Sequence, residues 1–549
     1  MPPAAVIGPI LVPLIAAGVI TAFGLAGRNL QPIAAVGAWG SALALCVAWL
    51  PVRSTQDLRI APLGFGSNLE LRIDAVAFAF GLMVLVPAAV LLTLQARAWQ
   101  EAALSTLSVA AAMFALEAAD TVLTAIAGST AASLAVVLLD VEDPRASRPR
   151  WSLLLAAWLA LAWAGVLLQV RGGTADFTAV PVSTLTIPVF ALVGTAALLA
   201  SGLVPWRSWP AQLWSRPSLR AAGITVATLY PLGFYVLVRA YEMGGGHYPH
   251  PAANAVLASI GVLVTLGAAF RAQTASSRRE FLGEVIPGFG GFVLMALALG
   301  TPLGLVSALV MLLTSAALVA CLTLLPDRAG LASLVAIAAA VGLPPGLAFG
   351  SRVVGIEATF EIADFVGLIG IAGTAVWAIW MVAAARAIGL PAGRGRPAAE
   401  TFPRVALAIA GLTLLAGPGL AAIQAGFANP VQAAVMQTSV ATVSGSLTSV
   451  VTVSTVLPAL ALFIPLLLIG AVAYMSVGEL GIRSQARPPV FELPFANALE
   501  RVRQAIRTAT VPEQYRSILG FRELELAAAG GNPLLWLAAV VALAFAVTR

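Results

Sequence analysis

The sequence predicts an all-α, polytopic transmembrane helical bundle of roughly 14 to 16 helices. Hydrophobic residues make up 60% of the 549 positions and charged residues only 10%, and the mean hydropathy is +0.96. One soluble core cannot bury that much apolar surface, so lipid must solvate it. Apolar runs of about 20 residues, enough to cross hydrocarbon about 30 Å thick, recur along the chain. The period-2 alternation of a membrane β-barrel is absent, which leaves a bundle of helices.

The apolar runs place the individual spans. We predict them near residues 4–25, 32–51, 75–95, 103–119, 121–140, 151–170, 186–205, 221–240, 252–270, 284–300, 303–325, 331–362 (interrupted), 365–388, 403–424, 440–477 (one or two helices) and 533–548. These spans predict five regions. They are N-terminal helices at 1–100, two repeats at 101–240 and 241–390, C-terminal helices at 391–480, and an amphipathic lateral segment with a final helix at 481–549.

The distribution of arginine predicts the orientation. All 30 basic residues are arginine, and the chain has no lysine. Arginines follow the odd-numbered spans, as at Arg97, Arg220 and Arg279, and are sparse after the even-numbered ones. By the positive-inside rule, we expect an inner (cytoplasmic) membrane protein with its N-terminus outside. The net charge of +6 then reflects topology and does not indicate nucleic acid as a partner.

Two proline-rich breaks interrupt the hydrophobic pattern. The first is PWRSWP, with Pro205 and Pro210, at the end of the seventh span, and the second is GLPPG, with Pro344 and Pro345, inside the twelfth. They lie five spans apart, and because five is odd, the two blocks would face opposite ways across the membrane. This spacing indicates inverted five-helix repeats with broken seventh and twelfth helices. Ordinary proline kinks are the alternative interpretation.

The segment from Leu198, LLASGLVPWRSWPAQLWSRPSLRAAGITVATLYPLGFYVLVR, resembles the signature region of the antiporter-like membrane subunits. Such subunits occur in NADH:quinone oxidoreductase, group 4 hydrogenases, Mrp sodium/proton antiporters and a related inorganic-carbon transporter. The residues in register with that signature are Pro205, Trp209, Pro217, Gly233, Tyr235 and Arg239. Further similarity lies in SRREFLGEVIPGFGGFVLMALALG, in GLPPGLAFGSRVVGIEA and at Asp74, so the resemblance covers about residues 70–390.

The departures from this family concern its proton relay. The resemblance implies a glutamate on the fifth helix, a lysine on the seventh, and further lysines or histidines through the membrane centre. This chain has Thr130 and Ala200 at the first two positions and Thr225 on the eighth helix, and the eleventh span has no ionisable side chain except Cys321. Only Arg352, at the lysine position of the twelfth helix, keeps a cation. Because arginine stays protonated, we predict a lost relay and a fixed charge at Arg352.

An acidic stripe follows the second break. Glu357, Glu361 and Asp364 are spaced i, i+4 and i+7 and so share one helix face. This stripe is a candidate ion path, and its alternative role is to reach the outer aqueous boundary or a neighbouring subunit. Glu117 and Asp120, between the fourth and fifth spans, are expected to face water.

The sequence does not indicate a cofactor or metal. His247 and His250 form a lone H-x-x-H pair in a loop, and Cys46 and Cys321 lie apart within apolar runs. We expect no catalytic site in this chain, which would at most serve an oxidoreductase as a membrane subunit.

These observations predict a membrane subunit of a complex-I-like, hydrogenase-like or Mrp-like assembly. Its partners would be other membrane subunits and the lipid bilayer. Without the lysine relay, its role would be that of a scaffold or of an altered ion path. The alternative is an autonomous secondary transporter that binds a solute or ion between inverted repeats.

Overall fold

The computed structural model describes residues 4–437, apart from 65–66, 144–150, 204–207, 215, 327–329, 361, 363 and 391–399. The spans predicted at 440–477 and 533–548 and the amphipathic segment lie outside the described residues. So do Pro205 and Glu361.

The first part of the chain forms six long helices over its apolar runs. They are α1 (Ala4–Leu25), α2 (Pro32–Trp49), α3 (Ala75–Leu94), α4 (Trp99–Glu117), α5 (Thr121–Glu142) and α6 (Trp151–Gly172). Side chains cap two of them: Asp74 accepts from the backbone N–H of Ala77, and Asp120 accepts from that of Leu123. These caps satisfy N–H groups that the first helical turn leaves without partners.

The second part continues the bundle with longer and shorter helices. They are α7 (Ile187–Ala200), α8 (Trp209–Leu213), α9 (Arg220–Met243), α10 (Pro251–Thr274), α11 (Arg278–Ala298), α12 (Pro302–Leu324), α13 (Leu331–Val341), α14 (Leu347–Phe360), α15 (Asp364–Gly389), α16 (Pro403–Leu415), α17 (Leu420–Ile423) and α18 (Asn429–Val435). Within the described residues, nine helices are individually long and apolar enough to cross a membrane. The predicted polytopic helical bundle is confirmed.

A β-hairpin, which the all-α prediction lacked, joins α2 to α3. Strand β1 (Gln56–Gly64) pairs antiparallel with β2 (Ser67–Ile73), with Gln56 opposite Ile73. In β2 the apolar residues alternate with polar ones, which is the period of a strand with two different faces. The hairpin is too short and too polar to register as a span, and it packs against α1, α3 and α4.

The predicted break of the twelfth helix is confirmed. Helix α13 ends at Gly342, whose φ of +76° is readily adopted only by glycine, and α14 begins after Pro344 and Pro345. Near the seventh break, α7 ends at Ala200 and α8 carries Pro210 in its first turn. One further bend was not predicted: the helix axis turns by 57° between α16 and the segment Gly417–Val435.

Helix α9 lies at the centre of the described bundle. Every residue of α9 after Arg220 is buried, whether its side chain is apolar or polar. Helices α3, α4, α5, α7 and α12 pack around it. Because α9 has no lipid-facing side, its polar groups depend on partners inside the protein, and a polar group without one is costly.

Candidate functional site

The two ends of α9 carry buried ionic clusters, and the first of these lies near Met243. Arg239 is 1% exposed and pairs with Asp74 at 2.7 Å and with Glu242 at 2.6 Å. Its guanidinium also lies 5.0 Å from the ring centroid of Tyr235 and 5.5 Å from that of Phe177. We call Asp74, Arg239 and Glu242 the Arg239 cluster. Paired carboxylates and two aromatic faces compensate for the cost of burying this charge.

A second arginine extends this end into the hairpin and the loop after α6. Arg72 bonds Asp57 at 2.6 Å and both carboxylate oxygens of Asp176 at 2.6 and 3.0 Å. Burial by itself would raise the pKa of Asp176, but the hydrogen bonds and charge of Arg72 lower it below its ordinary value. Burial by itself would lower the pKa of Arg72, but the hydrogen bonds and charges of Asp176 and Asp57 raise it above its ordinary value. The hairpin is thereby fastened to the loop after α6.

The opposite end of α9 gathers acids from three distant segments. Arg220 lies 3.5 Å from Glu101 in α4, 3.5 Å from Glu142 at the end of α5, and 3.5 Å from Glu400 just before α16. Ser218 contacts Glu142 at 2.6 Å and Glu400 at 3.0 Å. We call these five residues the Arg220 cluster. It joins the first predicted repeat to the segment that follows the second.

Arg97 supports the Arg220 cluster from the α3–α4 connection. Its guanidinium donates to the carbonyl oxygen of Arg220 at 2.9 Å and to the side-chain oxygen of Gln95 at 3.0 Å. Burial lowers the pKa of Arg97 to about 10, which still leaves it protonated at neutral pH. Gln95 also donates to the carbonyl oxygen of Glu400 at 3.3 Å. The cluster is therefore held in place by backbone contacts as well as by charges.

The stretch of α9 between the two clusters has hydroxyl groups and no ionisable side chain other than tyrosine. Thr228 donates to the carbonyl oxygen of Ile224 at 2.8 Å, and Tyr230 donates to that of Ile286 at 3.1 Å. Thr225 is completely buried, and its hydroxyl has no partner among the described residues. Ala200, at the expected lysine position, is buried nearby in α7, which packs on α9.

The predicted site residues do not all meet. Thr130 is exposed on α5 and donates to Ile126 within its own helix, so it does not line a path together with Thr225. Glu357 is exposed on α14, and Asp364 begins α15. The stripe that these acids were predicted to form with Glu361 stays a prediction, because Glu361 lies outside the described residues.

Arg352 lies at the break between α13 and α14. Its guanidinium donates to the carbonyl oxygen of Val341, to which the indole of Trp377 also donates at 2.8 Å. The guanidinium lies 5.0 Å from the Trp377 ring centroid and 5.8 Å from that of Phe289. No carboxylate pairs with it within the described ranges. The last carbonyl groups of α13 form the negative end of its helix dipole, which stabilises a nearby cation. The helix end and the two aromatic rings therefore stabilise the charge of Arg352.

The expectation that Glu117 and Asp120 face water is wrong. Asp120 is 5% exposed and caps α5, and Glu117 is completely buried at the end of α4. Neither carboxyl oxygen of Glu117 has a hydrogen-bond partner in the described part of the chain. The hairpin covers this end of α4, since Leu71 forms a bridge with Ala118. A helix end that hydropathy places at the membrane boundary is thus enclosed by protein.

The histidines contact nearby backbone groups, and the cysteines lie within helices. His250 caps α10 by accepting from the backbone N–H of Ala252 at 3.0 Å, and the side chain of His247 contacts its own loop. Cys321 is buried in α12, and Cys46 is half-buried in α2. Within the described residues, no group of three or more His, Cys, Asp or Glu side chains is arranged to hold a metal ion.

Sequence reasoning missed the Arg220 cluster. Arg220 served only to predict orientation, and Glu101, Glu142 and Glu400 belong to helices or connections far apart in the chain. The available local signal was that each carboxylate stands at the end of an apolar run, and such residues usually face water.

Comparison with solved structures identifies the fold. No protein-family model and no curated protein sequence matches the chain. A chain of the Mrp complex from Dietzia sp. DQ12-45-1b aligns with a TM-score of 0.73 and 19% identity, covering 95% of this chain and 62% of that one. This chain thus spans less than two thirds of the length of that Mrp chain.

Two other assemblies contain similar chains. One is the archaeal membrane-bound sulfane sulfur reductase, with a TM-score of 0.62, 18% identity, and coverage of 75% of this chain and 76% of that one. The other is respiratory complex I from Thermus thermophilus, with a TM-score of 0.63, 18% identity, and coverage of 80% and 100%. The fold of the antiporter-like membrane subunits, predicted from the order of the motifs, is therefore confirmed.

Proposed function

We propose that this chain is a membrane subunit of a multi-subunit complex of the Mrp or complex I type, and that it serves as a scaffold instead of pumping through a lysine relay. Its fold supports the first part, because the similar chains come from an Mrp complex, a sulfane sulfur reductase and complex I. The composition supports the second part, because the chain has no lysine.

The observation that carries the proposal is the chemistry of α9 between its two clusters. A proton relay needs groups that bind and release protons near neutral pH. Between Arg220 and Arg239 the helix offers the hydroxyl groups of Thr225, Thr228, Tyr230 and Tyr235, and neighbouring α7 offers Ala200. Hydroxyl groups can pass a proton along a water chain, but they cannot store one at neutral pH.

Arg352 does not restore the relay. Its guanidinium stays charged, and it is held at the carbonyl oxygen of Val341 and over two aromatic rings. A fixed positive charge at the break repels cations that approach it. Its role in this proposal is to stabilise the broken helix.

The expected orientation places the Arg220 cluster on the cytoplasmic side. Arg97, Arg220 and Arg279 come from three connections that the positive-inside rule assigns to the cytoplasm. Arg97 contacts Arg220, and Arg279 donates to the carbonyl oxygens of Trp214 and Arg216, so the three lie at one end of the bundle. An impermeant thiol reagent added outside should label Ser54→Cys in the α2–hairpin connection, and not Ser276→Cys ahead of α11. The reverse pattern contradicts this orientation.

Purification from the native membrane without crosslinking tests the assembly. We expect the chain to co-purify with other membrane subunits. A single component that is stable and transports a solute or ion in proteoliposomes overturns the scaffold and supports the autonomous transporter. The break between α13 and α14 is the feature that would bind its substrate.

An altered ion path is the second candidate, favoured by the buried Thr225 hydroxyl without a partner. Thr225→Val and Glu357→Gln should leave ion flux of the reconstituted complex unchanged if the chain is a scaffold. A matched control is Thr228→Val, one turn away, whose hydroxyl already donates to Ile224. Flux that falls in Thr225→Val and not in Thr228→Val supports the altered path.

A further inference from the structure

Glu117 is a carboxyl group enclosed by its own chain. It is 0% exposed, and neither of its carboxyl oxygens has a hydrogen-bond partner among the described residues. The hairpin covers this end of α4: Leu71 forms a bridge with Ala118, and the backbone N–H of Ala119 donates to the carbonyl oxygen of Glu70 at 3.0 Å. Because the enclosure lies within one chain, a neighbouring subunit cannot supply a partner for Glu117.

The face of α4 that carries Glu117 packs on apolar helices. Met113 lies one turn earlier on the same face. A β-carbon added to Gly81 of α3 would lie 3.2 Å from the Met113 methyl group and 2.6 Å from a methyl group of Leu45 in α2. Helices α1, α2 and α3 all pack on α4, and their sequences contain no Asp, Glu, Lys, Arg or His. These helices therefore offer no cation to Glu117.

The other elements around this end of α4 have charged groups that are engaged elsewhere. Arg72 pairs with Asp57 and Asp176, and Arg59 pairs with Glu70. No ion pair joins Glu117 to an arginine in the described part of the chain. The titratable and charged groups of these elements are those of the hairpin (Asp57, Arg59, Glu70 and Arg72), of α9 (Tyr235, Arg239 and Glu242), and of the connections (Arg53, Asp74 and Asp120).

Three of these groups lie closest to Glu117 along the chain or across a contact. Tyr235 donates its hydroxyl to the carbonyl oxygen of Leu116 at 2.7 Å, and Asp120 accepts from the backbone N–H of Leu123. Arg53, in the connection from α2 to the hairpin, is exposed. Arg239 is held by Asp74 and Glu242 in the Arg239 cluster.

The expected topology separates Glu117 from the arginine-rich connections. Those at 145–150, 207, 328 and 394–396, and the amphipathic segment, follow odd-numbered predicted spans, whereas Glu117 ends the fourth. The positive-inside rule assigns the former to the cytoplasmic side and the latter to the outer side. The tip of the hairpin adds Phe65 and Gly66, which carry no charge.

These surroundings favour a neutral carboxyl group over a carboxylate. Burying an ionised carboxylate without a cation or a donor costs far more than burying a neutral carboxyl group with unsatisfied hydrogen bonds. We propose that Glu117 is a proton-binding site, at which one carboxyl oxygen holds a proton taken from water at neutral pH. Loss of that proton would leave a charge beneath the hairpin, so the bound proton helps to keep the hairpin on α4. The site needs no ion conduction, and its test is independent of the scaffold proposal.

Infrared difference spectroscopy of the complete chain in lipid tests the protonation state. The unmodified protein should show the carbonyl stretching band of a protonated carboxyl group at neutral pH, and Glu117→Gln should lack it. Glu117→Met, which keeps a similar volume without a carboxyl group, should lack the same band. Glu70→Gln is the matched control, because Glu70 is similarly buried at the same end but lies 2.8 Å from Arg59. It should leave the band in place.

Thermal unfolding in detergent gives a second measurement. In the unfolded chain Glu117 ionises above about pH 4, so unfolding releases its proton at higher pH. The unmodified protein should therefore lose stability relative to Glu117→Gln as pH rises from about 5 to about 9, and the gap between the two midpoints should widen.

Two outcomes overturn the proposal. One is a neutral-pH spectrum in which neither Glu117→Gln nor Glu117→Met removes an acid band, because Glu117 is then ionised. The other is an acid band that is lost on adding sodium at constant pH, which would make Glu117 a ligand of a metal cation.

Discussion

The two ends of α9 carry similar ionic groups, but the ion pairs at the two ends differ in distance and burial. Near Met243, Arg239 makes ion pairs of 2.6 and 2.7 Å and is 1% exposed. At the other end, Arg220 stays 3.5 Å from each of three carboxylates and is 25% exposed. Both ends have more acids than arginines in direct contact. The difference lies in the ion pairs themselves, which are short and enclosed at Arg239 but longer and partly exposed to solvent at Arg220.

The largest expected effect comes from removing the cation of the Arg239 cluster. Arg239→Ala should destabilise the protein by about 3–5 kcal/mol, because it leaves Asp74 and Glu242 buried without a cation. The midpoint of thermal unfolding in detergent, followed by circular dichroism, measures this loss. Arg171→Ala, which changes an exposed arginine in the last turn of α6, should have little effect. Equal losses in both variants would contradict the structural role of Arg239.

A smaller loss is expected at the opposite end. Arg220→Gln should cost about 2–3 kcal/mol at neutral pH, because three carboxylates lose their shared cation. Thermal unfolding in detergent measures it, with Arg171→Ala again as the control. A loss as large as that of Arg239→Ala would contradict the difference between the two ends of α9.

The smallest effect concerns the pair between Arg72 and Asp176. The pKa of Asp176 is lowered from 3.8, so its contribution to stability is present above that pH and is lost as pH falls through the folded value. Asp176→Asn should cost about 1 kcal/mol at neutral pH and converge with the unmodified protein in acid. Asp57→Asn, at a carboxylate that is 42% exposed, should cost less. Unfolding midpoints at acidic and neutral pH check both statements.

The long apolar helices were predictable to within a few residues because bilayer thickness sets their length. The span expected at 121–140 is α5, Thr121–Glu142, and that at 75–95 is α3, Ala75–Leu94. The hairpin was missed because nine- and seven-residue strands give a weak alternation signal in a hydropathy reading. Its presence explains why Glu117 is buried where water was expected.

Composition and local pattern were enough to predict the class of the protein and the break at Pro344 and Pro345, and they show that the chain contains no lysine. These properties follow from the hydropathy of the apolar runs and from the geometry of proline and glycine. Which acids meet depends instead on how distant helices pack. Glu142 and Glu400 come together at Ser218 because α5, α9 and the start of α16 converge there, and no local periodicity encodes a contact between such distant segments.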